Sequence, residues 1–183
     1  MKPSFVLLAT VAVLVSAGCG SSHKSSAPAS STAAKTPSPF LPQPPFAGPR
    51  ELVLYGHVKS LTSKGARFEL RFDPAELLSG ETANRAAIED KVIPPGDVVP
   101  NDNYIRDVDH RLLTYFVPAN AHVTVVTNPG LKGIRATVIP VSELAEIVKG
   151  KNPKHRALFE PKNPFWIVVA TDTVRSLDQQ YSP

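Results

Sequence analysis

A chain of 183 residues with one cysteine, 19 prolines and a hydrophobic share of 42% has room for one domain with a core of ordinary size. It has no second cysteine for a disulfide or a thiolate zinc site. The formal charge of +4 overstates that of the domain, because all 16 acidic residues but only 17 of the 20 basic ones lie from Arg50 onward, the others being Lys2, Lys24 and Lys35. A near-neutral domain lacks the concentrated basic footprint of a nucleic-acid binder, so no nucleic-acid partner is expected.

The chain opens with Lys2, an apolar run from Phe5 to Val15, and the small residues Ser16, Ala17 and Gly18 before Cys19. The run is well short of the roughly 20 residues that cross a bilayer, and the tract after it is small and polar rather than basic. This is the plan of a cleaved export signal. From Gly20 to Pro49 the chain is rich in Ser, Ala, Thr and Pro, a composition that cannot bury enough surface to offset its ordering entropy. Residues 21–36 read as flexible coil. The Pro37 to Pro49 stretch leans to extended polyproline II and reads as a spacer rather than as a ligand for an aromatic groove. Phe40, Leu41 and Phe46 are the exceptions, expected to pack against the domain.

The sequence thus divides into a signal at residues 1–18, a tether at 19–49 and one β-rich domain at 50–183. Leu52 to Thr62 reads as a strand, with Gly56 marking a bulge or bend. Thr62 to Gly65 supplies a turn. Ala66 to Asp73 alternates, with Phe68, Leu70 and Phe72 on one face and Arg67, Glu69 and Arg71 on the other, as in a half-buried antiparallel strand. Asp73-Pro74-Ala75-Glu76 has the cap, proline and acidic residue of a helix start. A helix is expected to about Leu78 and again from Thr82 to Glu89.

Pro94 to Asp109 reads as a polar loop. Arg111–Val117 and His122–Thr127 read as a hairpin about Pro118-Ala119-Asn120, and Ile134–Ile139 as a short strand. Ser142–Val148 reads as a short helix capped by Ser142 and stopped by Gly150. Phe165–Leu177 reads as one long final strand. The fold class expected is α+β, mainly β: a small OB-like or similar antiparallel barrel with two short helical insertions, closed by its first and last strands. An open α+β sheet is the alternative.

Chemistry-bearing residues concentrate in Asn101 to His110. Asp102, Tyr104, Arg106, Asp107, Asp109 and His110 form the candidate recognition loop, since loops carry function more often than scaffolds do. Calcium binding fails on spacing: no glycine follows the acidic cluster and no closing Glu is at the right distance. A transition-metal site at Asp107, Asp109 and His110 fails on alternation along an extended segment, so no metal or other cofactor is expected. No G-x-S-x-G elbow is present. Asp73 and Glu76 are explained by capping rather than by glycosidase chemistry. Tyr55, Tyr115, Phe165 and Trp166 suit a core better than a sugar-binding surface.

Ala17-Gly18-Cys19, preceded by Ser16 where leucine is commonest, resembles the lipobox of bacterial lipoproteins. The resemblance implies cleavage between Gly18 and Cys19 and acylation of the Cys19 thiol; an ordinary signal cut nearby, leaving a free thiol, is the alternative. With the Pro/Ser tether, Asn101 to Arg106 and Val174 to Tyr181, the chain resembles an uncharacterised family of secreted lipoproteins from high-GC Gram-positive bacteria, which brings no activity with it. The expected protein is lipid-anchored on the extracytoplasmic face of the cell membrane. It presents a non-enzymatic binding or scaffold domain to another envelope protein or a cell-wall component. The alternatives are an envelope hydrolase or metal-dependent enzyme using the Asp102 to His110 loop, and a small-ligand carrier, which would need a barrel interior not filled by Phe68, Leu70, Phe72 and Trp166.

Overall fold

A computed structural model describes residues 45–107, 111–130 and 133–181. Strands β1 (Glu51–Lys64) and β2 (Arg67–Ser79) form the expected hairpin. Its turn passes through Gly65, whose φ of 66° suits a residue without a Cβ. The alternation in β2 holds: Leu70 and Phe72 are 0% exposed, while Arg67 and Arg71 face solvent. Gly56 lies opposite Pro74, and the register shifts just beyond it, between Val58 and Ser60.

The Asp73-Pro74-Ala75-Glu76 stretch is strand, not a helix start. β2 runs through it because its neighbour changes there. Pairing with β4 (Leu113–Pro118) stops at Phe72–Leu113, and pairing with β3 (Asn103–Asp107) starts at Ala75–Asp107. Pro74 sits at that changeover, where its missing N–H removes no ladder bond on that side. Asp73, freed from capping, lies 2.8 Å from Lys59. The helix α1 follows at Gly80–Glu89, and β3 occupies part of the expected loop.

β4 and β5 (His122–Thr127) do not pair as a hairpin. Ala121 N–H donates to the Pro118 carbonyl, but the turn is a jog rather than a reversal. Both strands run parallel to β8 (Thr173–Gln179), through Phe116–Thr173 and through His122–Ser176 to Thr124–Asp178. β6 (Arg135–Val138) pairs with β5 at the sheet edge. The expected long final strand is also two. β7 (Phe165–Ala170) turns through Thr171 and Asp172 into β8, with Thr171 at a φ of 60°. β1 therefore closes on β7, not on the last strand.

The circuit β1-β2-β4-β8-β7 and back to β1 is a closed five-stranded barrel, and its order is OB-like. All its pairings are antiparallel except β4 with β8. Leu61, Leu70, Phe72, Val117, Ile167, Val174 and Leu177 fill it, each at most 1% exposed. That filling leaves the interior as core rather than as a carrier's cavity. α2 (Val141–Val148) plugs one end with Val141, Leu144 and Ile147. It starts one residue before Ser142, with Pro140 at the cap position and no side-chain capping bond, and Gly150 follows its end at a φ of 81°.

Trp166 faces outward, since Phe165, Ile167 and Val169 take the interior positions of β7. Its ring packs on Tyr55 at 4.8 Å, and its Nε1–H donates to Gln180 Oε1 at 2.7 Å. Tyr55 is 5% exposed, and burial pushes its hydroxyl up to about 12. Phe46 is 97% exposed and does not pack on the domain; Phe40 and Leu41 lie outside the described residues.

Candidate functional site

β3 and the second half of β2 carry α1 on a side arm with its own small core: Ala83, Ala87 and Val99, with Leu78, Ile93 and Tyr104 against them. The arm brings Tyr104 and Arg106 of the candidate loop together, and both grip the end of α1. Tyr104 Oη donates to Asp90 Oδ2 at 3.0 Å, and Arg106 Nη2 donates to Asp90 Oδ1 at 2.7 Å and to Glu89 Oε2 at 3.1 Å. The Arg106 hydrogen bond holds the Asp90 carboxyl below its ordinary range, and desolvation raises the Tyr104 hydroxyl.

This grip places a guanidinium against two carboxylates at the end of a helix that has no basic residue in its last turn. Asp102, at a φ of 58°, and Asp107 are exposed and make none of these hydrogen bonds, although the Asp107 charge adds to the rise of the Tyr104 hydroxyl. Gly18, Cys19, Asp109 and His110 lie outside the described residues. Among the described residues, no group of three His, Cys, Asp or Glu side chains is placed to hold a metal ion.

A second feature was not apparent from spacing. Where β1 passes α2 and the segment before β7, a cleft of about 440 Å³ opens. Val58, Ile147, Val148 and Phe165 supply apolar lining, and His57, Lys59, Lys162 and Asn163 add polar groups. A shallower recess of about 300 Å³ adjoins it through Ile147, Gly150 and Pro161 and reaches Arg156. The only sequence signal for the cleft is the run of polar and basic residues from Lys149 to Lys162, which reads as an ordinary solvated loop.

The wall of that recess is fixed by Glu143, a carboxylate only 4% exposed. Arg156 donates to it through Nε and, at 3.2 Å, through Nη2, and Lys154 lies 3.4 Å away. The Arg156 bond holds the Glu143 carboxyl below its ordinary 4.5. A carboxyl lowered by folding stabilises fully above its unfolded value and loses that contribution as pH falls through the folded one. The thermal midpoint is therefore expected to fall as pH drops below about 4.5. Glu143→Gln should make that acid limb shallower while lowering stability at neutral pH. An unchanged acid limb in differential scanning calorimetry would refute the assignment. Glu146, drawn down to about 2 by Lys149 and Lys151, accounts for acid dependence that remains in the variant.

Comparison with known protein families, with curated proteins and with solved structures finds no match for this chain.

Proposed function

We propose that the protein is a cell-envelope lipoprotein, anchored through lipid on Cys19 and presenting its barrel as a non-enzymatic binding module. The observation that carries this reading is the placement of Ala17-Gly18-Cys19: an apolar run too short to span ends there, and a Ser/Pro tract then leads to the first strand at Glu51. One acyl chain holds a protein only marginally, while two or more hold it stably, each buried CH₂ contributing about 0.8 kcal/mol. The filled barrel supports the binding half of the reading. With its interior occupied by its own side chains, the domain meets partners at its surface, through the cleft beside α2 or the arm that carries Tyr104 and Arg106.

Cys19→Ala tests the anchor. The wild-type chain should sediment with membranes, and the variant should appear in the soluble extracytoplasmic fraction. Equal membrane retention of the two on fractionation and immunoblotting would overturn the lipid attachment.

A further inference from the structure

We propose that the outer face of β2 and β4 binds an anionic polysaccharide, engaged by Arg67 and Arg71. Both residues are exposed on the outward side of β2, opposite the interior Phe68, Leu70 and Phe72. Four residues apart on one strand, they stand about 13 Å from each other, a spacing suited to successive charges on an extended polymer.

Each guanidinium is held by a neutral group. Arg67 lies over the Phe116 ring, 3.6 Å from its centroid, and Arg71 Nη1 donates to Thr114 Oγ1 at 3.0 Å. Among the described residues neither has a carboxylate partner, whereas Lys59, Arg106, Lys149, Lys151, Lys154 and Arg156 are all ion-paired. The two arginines are thus positioned while keeping N–H groups for an outside anion, and a planar fork is the donor that meets carboxylates two bonds at a time. β8 extends the cationic face: Thr173 pairs with Phe116, and Arg175, two residues on, is exposed at the bulge beside Val168 and Val169.

A single-stranded nucleic acid would also be drawn to such charge, but it needs open aromatic faces on which bases stack. Phe116 is the one aromatic on the outward side of this strand pair, and Arg67 covers it. Glu69, half-buried on the same side and opposite Phe116, separates the two arginines. The face therefore offers two spaced guanidinium forks without a stacking platform, which suits spaced carboxylates on a polymer of charged sugars. Barrels of this strand order use the same pair of strands for oligonucleotides and for oligosaccharides alike, so the choice between the two rests on the missing stacking platform.

Binding of polygalacturonate to the full mature chain in detergent micelles, measured by titration calorimetry, tests the proposal, with dextran as the uncharged polymer and oligothymidylate as the nucleic acid. Wild type should bind polygalacturonate and not dextran, more weakly as salt rises. Arg67→Ala with Arg71→Ala should lose about tenfold in affinity per guanidinium. Arg67→Lys with Arg71→Lys, which keeps charge and loses the fork, should fall between. Arg85→Ala with Lys91→Ala, exposed on and after α1, should bind as wild type does. No binding by wild type, or equal losses in the two alanine pairs, would overturn the proposal. Tighter binding of oligothymidylate than of polygalacturonate would overturn the polysaccharide in favour of nucleic acid. The thermal midpoint of each variant shows that it is folded. The proposal rests on the envelope reading only for where the polymer is met. Membrane release of Cys19→Ala and polymer binding are separate readouts, so either can fail alone.

Discussion

Replacing Gly56 with alanine should destabilise the barrel by about 3 kcal/mol or more, at the upper end for inserting a methyl into a filled space. A Cβ built at Gly56 lies 2.1 Å from the Asp73 carbonyl oxygen and 2.9 Å from Pro74 Cα. Both are backbone atoms of the partner strand, so no side chain can rotate aside. Relief requires β1 and β2 to part where β2 exchanges β4 for β3 and where Tyr55, next in the chain, pairs with both Ala75 and Trp166. Urea unfolding should show a lower midpoint with an unchanged slope. A loss under about 1 kcal/mol, the ordinary cost of a surface substitution or a little more, would mean that the strands are farther apart than described.

The second large effect belongs to Gln179→Leu, expected to cost about 3 kcal/mol although it exchanges a polar side chain for an apolar one of similar size. Gln179 is 1% exposed at the end of β8. Its Oε1 accepts from the buried Val126 N–H at 2.8 Å, and its Nε2 donates to the Glu160 carbonyl at 2.7 Å. Leucine leaves the backbone donor without its partner in a dry site, and an orphaned buried group costs about 1–3 kcal/mol. It also removes one of the bonds that tie the segment around Glu160 to the barrel, alongside the Phe159 N–H bond to the Val126 carbonyl. Hydrogen exchange at Val126 should quicken in the variant beyond what the global loss explains. Near-wild-type stability would show that water replaces the amide.

What the chain declared in advance was whatever local periodicity decides. The β1–β2 hairpin was legible because Phe68, Leu70 and Phe72 alternate with charge, and the Gly150 stop because the chain needs a positive φ after α2. The errors arose where tertiary pairing overrode a local signal. Asp73-Pro74-Ala75-Glu76 carries every mark of a helix start, yet strand pairing with β1 and β3 outweighs a cap worth about 1 kcal/mol. Thr171-Asp172 turns a chain without glycine, asparagine or proline, so a single aspartate is the only local mark that divides β7 from β8. The β4–β5 jog reads as a hairpin because Pro118-Ala119-Asn120 suits a reversal; only the partner, β8, distinguishes the two. Of the candidate site, Tyr104 and Arg106 were read as contacts for a partner, and Asp90, which joins them within the domain, lies in a helix end that spacing does not connect to them. The cleft beside α2 is assembled from β1, α2 and the segment before β7, a juxtaposition that exists only after folding.

The parallel seam of β8 with β4 and β5 has a consequence in time. Strands β1 to β7 emerge first from the ribosome and can pair with one another only around an open gap, since β4 and β7 meet solely through β8. Until residues 173–179 are available, the Leu70, Phe72 and Val117 face lacks Val174 and Leu177 across from it. Non-local closure of this kind is slow and comes late. A nascent chain therefore stays pliable for most of its synthesis, and the barrel sets only when its last described strand arrives.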